Sequence, residues 1–166
     1  MSSGRRWQEL ESTAGLLIDT NLLVLFTVGT VNRNRIETFK RTRQYTKTDY
    51  DLLLQVLQQF KPLYTVAHVL AEVSNLTDLP GSERLQARRV LKETLSVLDE
   101  AEMPSIRAAE DRVYEDLGLA DAAIAALARD QNCAVLTDDL DLYLLLSRDN
   151  MNVLNFTHLR ERAWGI

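Results

Sequence analysis

The apolar residues of this chain fall into short runs that stop at polar turns, and longer stripes of helical spacing lie between those runs. Leu16-Leu-Ile18, Leu63-Tyr-Thr-Val66, Cys133-Ala-Val-Leu136 and Asn152-Val-Leu-Asn-Phe156 are each too short for a helix and read as buried strands. Between the first two, Leu22–Phe26 reads as the start of a helix or turn over the sheet. Thr48 then offers an N-cap, with Asp49 and Asp51 in the first turn and Leu52, Leu53, Val56, Leu57 and Phe60 at helical spacing. Pro62 prevents continuation. Val69, Leu70, Val73 and Leu76 form a stripe that ends near Asp78 and Pro80. Ser82 reads as the cap of a helix holding Leu85, Val90, Leu91, Leu95 and Leu98. A further helix is expected from Pro104 and Ser105 to Leu117, where Gly118 breaks it. Leu119–Ala128 is an Ala-rich helix of high propensity, and Leu140–Leu146 a short one.

Strands alternating with helices imply an α/β domain with a mainly parallel sheet of four to five strands, covered on both faces. Residues 1–14 read as a loose N-terminal segment with Trp7 and Leu10 as anchors, and residues 15–166 as one domain. The 19 basic residues against 24 acidic ones give a net charge of −5. An acidic chain is not an obvious phosphate binder, but its basic residues are clustered. Arg33, Arg35, Lys40, Arg41, Arg43 and Lys47 fall in the stretch 27–47, opposed only by Glu37. That stretch reads as a basic surface insertion, either a solvated loop or one able to grip phosphates while Phe39 or Tyr45 stacks on a base. The single cysteine, Cys133, excludes an internal disulfide and a multi-Cys zinc site, and its apolar neighbours mark it as a core residue. No apolar segment reaches the roughly 20 residues that span a bilayer. The start lacks the apolar stretch of a secretory signal. A cytoplasmic protein is expected, with no membrane partner.

Ligands of open parallel sheets bind beyond the carboxyl ends of the strands, which makes the acids there informative. Asp19 follows the first strand directly. Asp138 and Asp139 follow the third after Thr137 alone. Glu72 lies on the second turn of the helix after the second strand, and Asp121 in the first turn of the helix after Gly118. Each has an ordinary reading: Asp19 as a helix cap, Asp121 as a complement to a helix dipole, Asp138 and Asp139 as a turn, Glu72 as a solvated face. Together they place four carboxylates at one sheet edge, where like charges need a counter-ion. Oxygen donors without a multi-His or Cys site favour Mg²⁺ or Mn²⁺ over zinc or copper.

Four stretches carry a family resemblance: Leu17-Ile-Asp-Thr-Asn-Leu22, Thr65–Leu76, Leu119–Ala128 and Ala134-Val-Leu-Thr-Asp-Asp-Leu-Asp-Leu142. In order and character they resemble the four acidic motifs of PIN-domain nucleases, over about Leu16 to Phe156. The resemblance implies a Rossmann-like three-layer sandwich and a metal-dependent endoribonuclease that leaves 5′-phosphate and 3′-hydroxyl ends. It assigns catalysis and metal binding to Asp19, Glu72, Asp121 and Asp139, with Asp138 and Asp141 as outer or alternate ligands and Asn21 and Thr137 in support. Many bacterial members are toxins silenced by an antitoxin protein and form homodimers, so both partners are expected beside the RNA substrate. The stretch between Asn21 and Leu63 is longer here than in the compact toxins. His68 and His158 receive no catalytic role.

Other classes fit less well. A haloacid-dehalogenase-type phosphohydrolase needs an Asp two residues after the first one, where this chain has Asn21. A nucleotide-binding Rossmann domain needs a Gly-rich turn, which Asp19-Thr-Asn-Leu22 does not supply. A degenerate relative that only binds RNA or protein is the remaining alternative.

Overall fold

A computed structural model of the protein describes residues 15–165. The segment expected to be loose, 1–14, lies outside them, so its anchors Trp7 and Leu10 are not described. Five parallel strands form one sheet in the order β3-β2-β1-β4-β5: β1 (Leu16–Ile18), β2 (Leu63–Val66), β3 (Asp99–Ala101), β4 (Ala134–Thr137) and β5 (Val153–Asn155). Leu16 pairs with Leu63 on one side and Ala134 on the other. Leu16, Leu17 and Ile18 are each at most 1% exposed. Since successive strand residues point to opposite faces, both faces of the sheet are covered.

The covering helices are α1 (Thr20–Val31), α2 (Lys47–Leu57), α3 (Ala67–Leu76), α4 (Ser82–Thr94), α5 (Ser105–Ala109), α6 (Val113–Leu117), α7 (Leu119–Gln131), α8 (Leu140–Arg148) and α9 (Phe156–Trp164). Helix α1 packs against α2, α3 and α4, and α7 against α3, α5 and α6. Helix α1 is apolar nearly all round, with Leu22, Leu23, Val24, Leu25 and Val28 all buried, as a helix enclosed by neighbours must be. Its Gly29 takes the Tyr50 ring of α2 so closely that a Cβ there would fall 2.3 Å from Cδ2. The Tyr50 hydroxyl then shares a 3.0 Å hydrogen bond with Thr30 Oγ1. In α7 the small buried residues Ala122, Ala123, Ala125 and Ala126 let neighbouring helices approach.

Several expectations are corrected. The cap of α2 is Thr46, not Thr48. Thr46 accepts from the Asp49 amide while the Asp49 carboxylate accepts from the Thr46 amide, a reciprocal capping box. The cap position of α4 is Gly81, not Ser82, with no side-chain hydrogen bond, and α4 ends at Thr94, leaving Leu95 43% exposed. The helix expected from Ser105 to Leu117 is two helices. Asp111 accepts a 3.0 Å hydrogen bond from the Val113 amide, and this local alternative competes with helical pairing. Strand β3 and helix α9 went unread in the sequence. Thr27–Val31 belong to α1, so the basic stretch begins beyond them. No helix among the described residues is long and apolar enough to cross a membrane.

Candidate active site

The strand order reverses direction at β1, with β2 on one side and β4 on the other, and the ends of β1 and β4 form the crevice where such sheets bind ligands. Asp19 stands at the end of β1, its amide donating to the Leu136 carbonyl at 2.9 Å. It occupies the cap position of α1, yet its side chain makes no cap hydrogen bond, so the ordinary capping role does not apply. Its carboxylate instead accepts a 2.5 Å hydrogen bond from the Thr137 hydroxyl at Oδ2. Asp19 is 3% exposed. Burial pushes its carboxyl up to about 8. The Thr137 hydrogen bond pulls the other way, and the charges of Asp138, Asp121 and Asp139 add to the rise.

Asp139 has a local structural duty as well, that of a helix cap and not the expected turn. Its Oδ1 caps α8, accepting from the Asp141 amide at 2.8 Å and the Leu142 amide at 3.1 Å. Its own amide donates to Thr137 Oγ1 at 3.0 Å. Thr137 thus ties Asp19 to Asp139 through one hydroxyl. Asp121, half-buried in the first turn of α7, has no hydrogen bond or ion pair to another described residue. Burial pushes it up to about 7, and the charges of Asp139 and Glu72 follow as smaller causes. Glu72 is exposed at the rim, and Asp141 is exposed on α8. Asp138 lies between these acids and a buried tyrosine. Its Oδ1 accepts from Asn21 Nδ2 at 3.4 Å, and its Oδ2 from the Tyr45 hydroxyl.

Asp19 is therefore brought within reach of the charges of Asp121, Asp138 and Asp139, and Asp121 within reach of those of Asp139 and Glu72. Among the described residues, no three Asp, Glu, His or Cys side chains are grouped so as to hold a metal ion as they stand. The donor chemistry is nonetheless that of a hard cation. All donors are carboxylate oxygens, and two are held toward their neutral forms by burial and like charge. Mg²⁺ takes one or two carboxylates and keeps several waters, a demand that Asp19 with Asp121 or Asp139 meets in kind.

The basic stretch is less available than its sequence suggested. Arg33 forms a two-pronged ion pair with Asp51 at 2.6 and 2.8 Å. Arg35 pairs with Glu83 at 2.6 Å, and Lys47 donates to Asn34 at 2.7 Å. Lys40, Arg41 and Arg43 are exposed and unpaired among the described residues. Stacking by Phe39 or Tyr45 is overturned: the first is 9% exposed and the second 1%. The segment is a packed run of turns whose Ile36, Phe39, Thr42 and Tyr45 point inward at three-residue spacing.

Sequence reasoning missed Ser105. Its Oγ lies 2.8 Å from His68 Nε2, one helical turn before Glu72, while His68 Nδ1 is buried without a partner. A lone serine at a helix start gave no signal. His158 is exposed, its ring edge-on to Tyr143. Cys133 is buried at 2% exposure, and burial pushes its thiol up to about 11. A family model, PIN domain, matches residues 16–147. No curated protein matches the chain.

Proposed function

The chain belongs to the PIN domain family, and from that premise we propose that it is a Mg²⁺- or Mn²⁺-dependent endoribonuclease working through Asp19, Glu72, Asp121 and Asp139. The reading rests on one observation: acids from separate elements crowd a single sheet edge, Asp19 tied to Asp139 through the Thr137 hydroxyl, with the neighbouring charges adding to the raised proton affinity of buried Asp19 and Asp121. Asp19, Asp121 and Asp139 would hold the ion, with Glu72 at the rim. A divalent cation held by these residues would lower the pKa of a bound water and offset charge on the phosphodiester.

The residues themselves prepare that chemistry. Thr137 fixes Asp19 through Oδ2 and leaves Oδ1 without a described partner. The α8 amides fix Asp139 through Oδ1 and leave Oδ2 in the same state. Each acid is oriented by one oxygen and available through the other. Burial around Asp19 excludes water that would screen its charge. RNA approaches over Lys40, Arg41 and Arg43. Growth arrest relieved by an antitoxin protein, and a homodimer, extend the proposal on the resemblance alone.

Purified protein incubated with total RNA and Mn²⁺ or Mg²⁺ is expected to cut internally, leave 5′-phosphate ends and stop on addition of EDTA. RNA bound but left uncut in both metals would instead mean a binding module. Replacing Arg41 and Arg43 with Ala is expected to weaken RNA binding about tenfold. It should also flatten the plot of log affinity against log salt by about 1.4, at roughly 0.7 for each single-strand phosphate that is no longer neutralised. Salt titrations of RNA binding check this, and an unchanged slope would remove these residues from the interface.

A further inference from the structure

We propose that Tyr45 is a positioning residue for the acidic site, holding Asp138 in one orientation as an outer member of the carboxylate group. The inference rests on the nuclease reading only for the kind of cation involved. Tyr45 comes from a segment outside the acidic motifs, yet its hydroxyl donates to Asp138 Oδ2. From the other side, Asn21 donates to Oδ1 at 3.4 Å. Both oxygens of Asp138 thus accept from neutral donors on opposite sides, which fixes the orientation of the carboxylate beside Asp19 and leaves it fewer free lone pairs for direct contact with an ion. The inner positions are left to Asp19, Asp121 and Asp139.

The tyrosine is built to hold still. Its ring meets Phe156 edge-on at 6.4 Å, and the Arg160 guanidinium lies 5.4 Å from its centroid. Its amide donates to the Thr42 carbonyl at 2.8 Å. A phenol this buried loses free energy if its hydroxyl has no acceptor, so ring packing and the Asp138 hydrogen bond fix each other. The arrangement also joins the basic segment to the sheet edge, because Lys40, Arg41 and Arg43 lie on the same run of turns as Tyr45.

The test is a double-mutant cycle read by calorimetric Mn²⁺ binding to the full chain, with no RNA present. Tyr45→Phe keeps the ring and removes the hydroxyl. It is expected to weaken Mn²⁺ binding about tenfold, the lower end for partners that orient metal ligands. Asp138→Asn should weaken it by a similar factor, and the double variant by no more than the larger single effect. Wild-type affinity in Tyr45→Phe overturns the proposal, as do effects that multiply in the double variant. Should Tyr45→Phe not fold, Asp138→Asn interrogates the same hydrogen bond from its accessible side, and unchanged affinity there overturns it as well. A wild type that binds Mn²⁺ but cuts no RNA sinks the nuclease reading and leaves this one standing; a wild type that binds no Mn²⁺ overturns both.

Discussion

Replacing Asp19 with Asn is expected to lower RNA cleavage by about 10²–10³-fold and, in the metal-free protein, to raise stability progressively as pH rises. The two effects share one cause. Asp19 is buried at 3% exposure beside three other acids, and its carboxyl is pushed up to about 8 from an ordinary value of 3.8. The folded state therefore holds its proton to a higher pH than the unfolded chain does. Stability from this group is fully present below about pH 4 and is lost as pH rises to about 8. At about 1.4 kcal/mol per pH unit the loss has a ceiling near 6 kcal/mol, which relaxation of the site reduces. Asn keeps the shape and the Thr137 hydrogen bond without the charge. The gap in unfolding temperature between the variant and the wild type should open between about pH 5 and pH 8.5 in EDTA. Asp121, pushed up to about 7, keeps a smaller slope in both. Adding Mn²⁺ should restore the wild type at high pH, because an ion that binds only the folded state stabilises it, and should help the variant little. A gap that narrows with rising pH, or cleavage by the variant equal to wild type, contradicts the account.

How far the sequence could be read depended on whether burial wrote a pattern. Strands β1 and β2 were legible to the residue, because short, mainly apolar runs bounded by polar turns mark strands covered on both faces. Strand β3 was not, because the exposed Asp99 and Glu100 occupy an edge strand that pairs, among the described residues, with β2 alone. Helix α9 was missed because Arg160, Glu161 and Arg162 dilute a face anchored by Phe156 and the partly buried Leu159. Asp19 and Asp139 were legible because a strand end dictates their position. Their placement beside Asp121 depends on how α7 lies against the sheet, which no local spacing encodes. The basic stretch misled for a related reason. Its charges are visible in the sequence, whereas the ion pairs of Arg33 and Arg35 join it to Asp51 and Glu83, far along the chain. The three-residue spacing of Ile36, Phe39, Thr42 and Tyr45 was the available sign that the run is packed, but Thr42 among them hid it.

Replacing Arg160 with Met is expected to destabilise the fold by about 3–5 kcal/mol, the cost of leaving a buried charge without its partner. Asp49 is fully buried, and its two oxygens divide between two duties. Oδ2 accepts from the Thr46 amide in the α2 capping box, and Oδ1 accepts from Arg160 Nε at 2.8 Å. The Arg160 side chain is 15% exposed, so solvent does little to screen the pair. Arg160 also donates to the Gln44 carbonyl at 3.1 Å and lies over the rings of Tyr45 and Trp164 at 5.4 and 5.0 Å. One side chain near the end of the chain thereby clamps the run from Gln44 to Asp49 onto α9. Met preserves the apolar stem and removes only the charge and the donors. At roughly 2–4 °C per kcal/mol for a domain of this size, the unfolding temperature should fall by about 6–20 °C. Asp49→Asn should cost less, because the amide can still accept from Thr46 while Arg160 reaches water at the domain edge. Asp49→Leu combined with Arg160→Met should recover part of the loss, since an apolar pair carries no desolvation cost. Denaturant unfolding of the four proteins measures this coupling. If Arg160→Met costs less than about 1 kcal/mol, within the range of exposed ion pairs, the clamp does not hold the segment, and the fixed position of Tyr45 loses its physical basis.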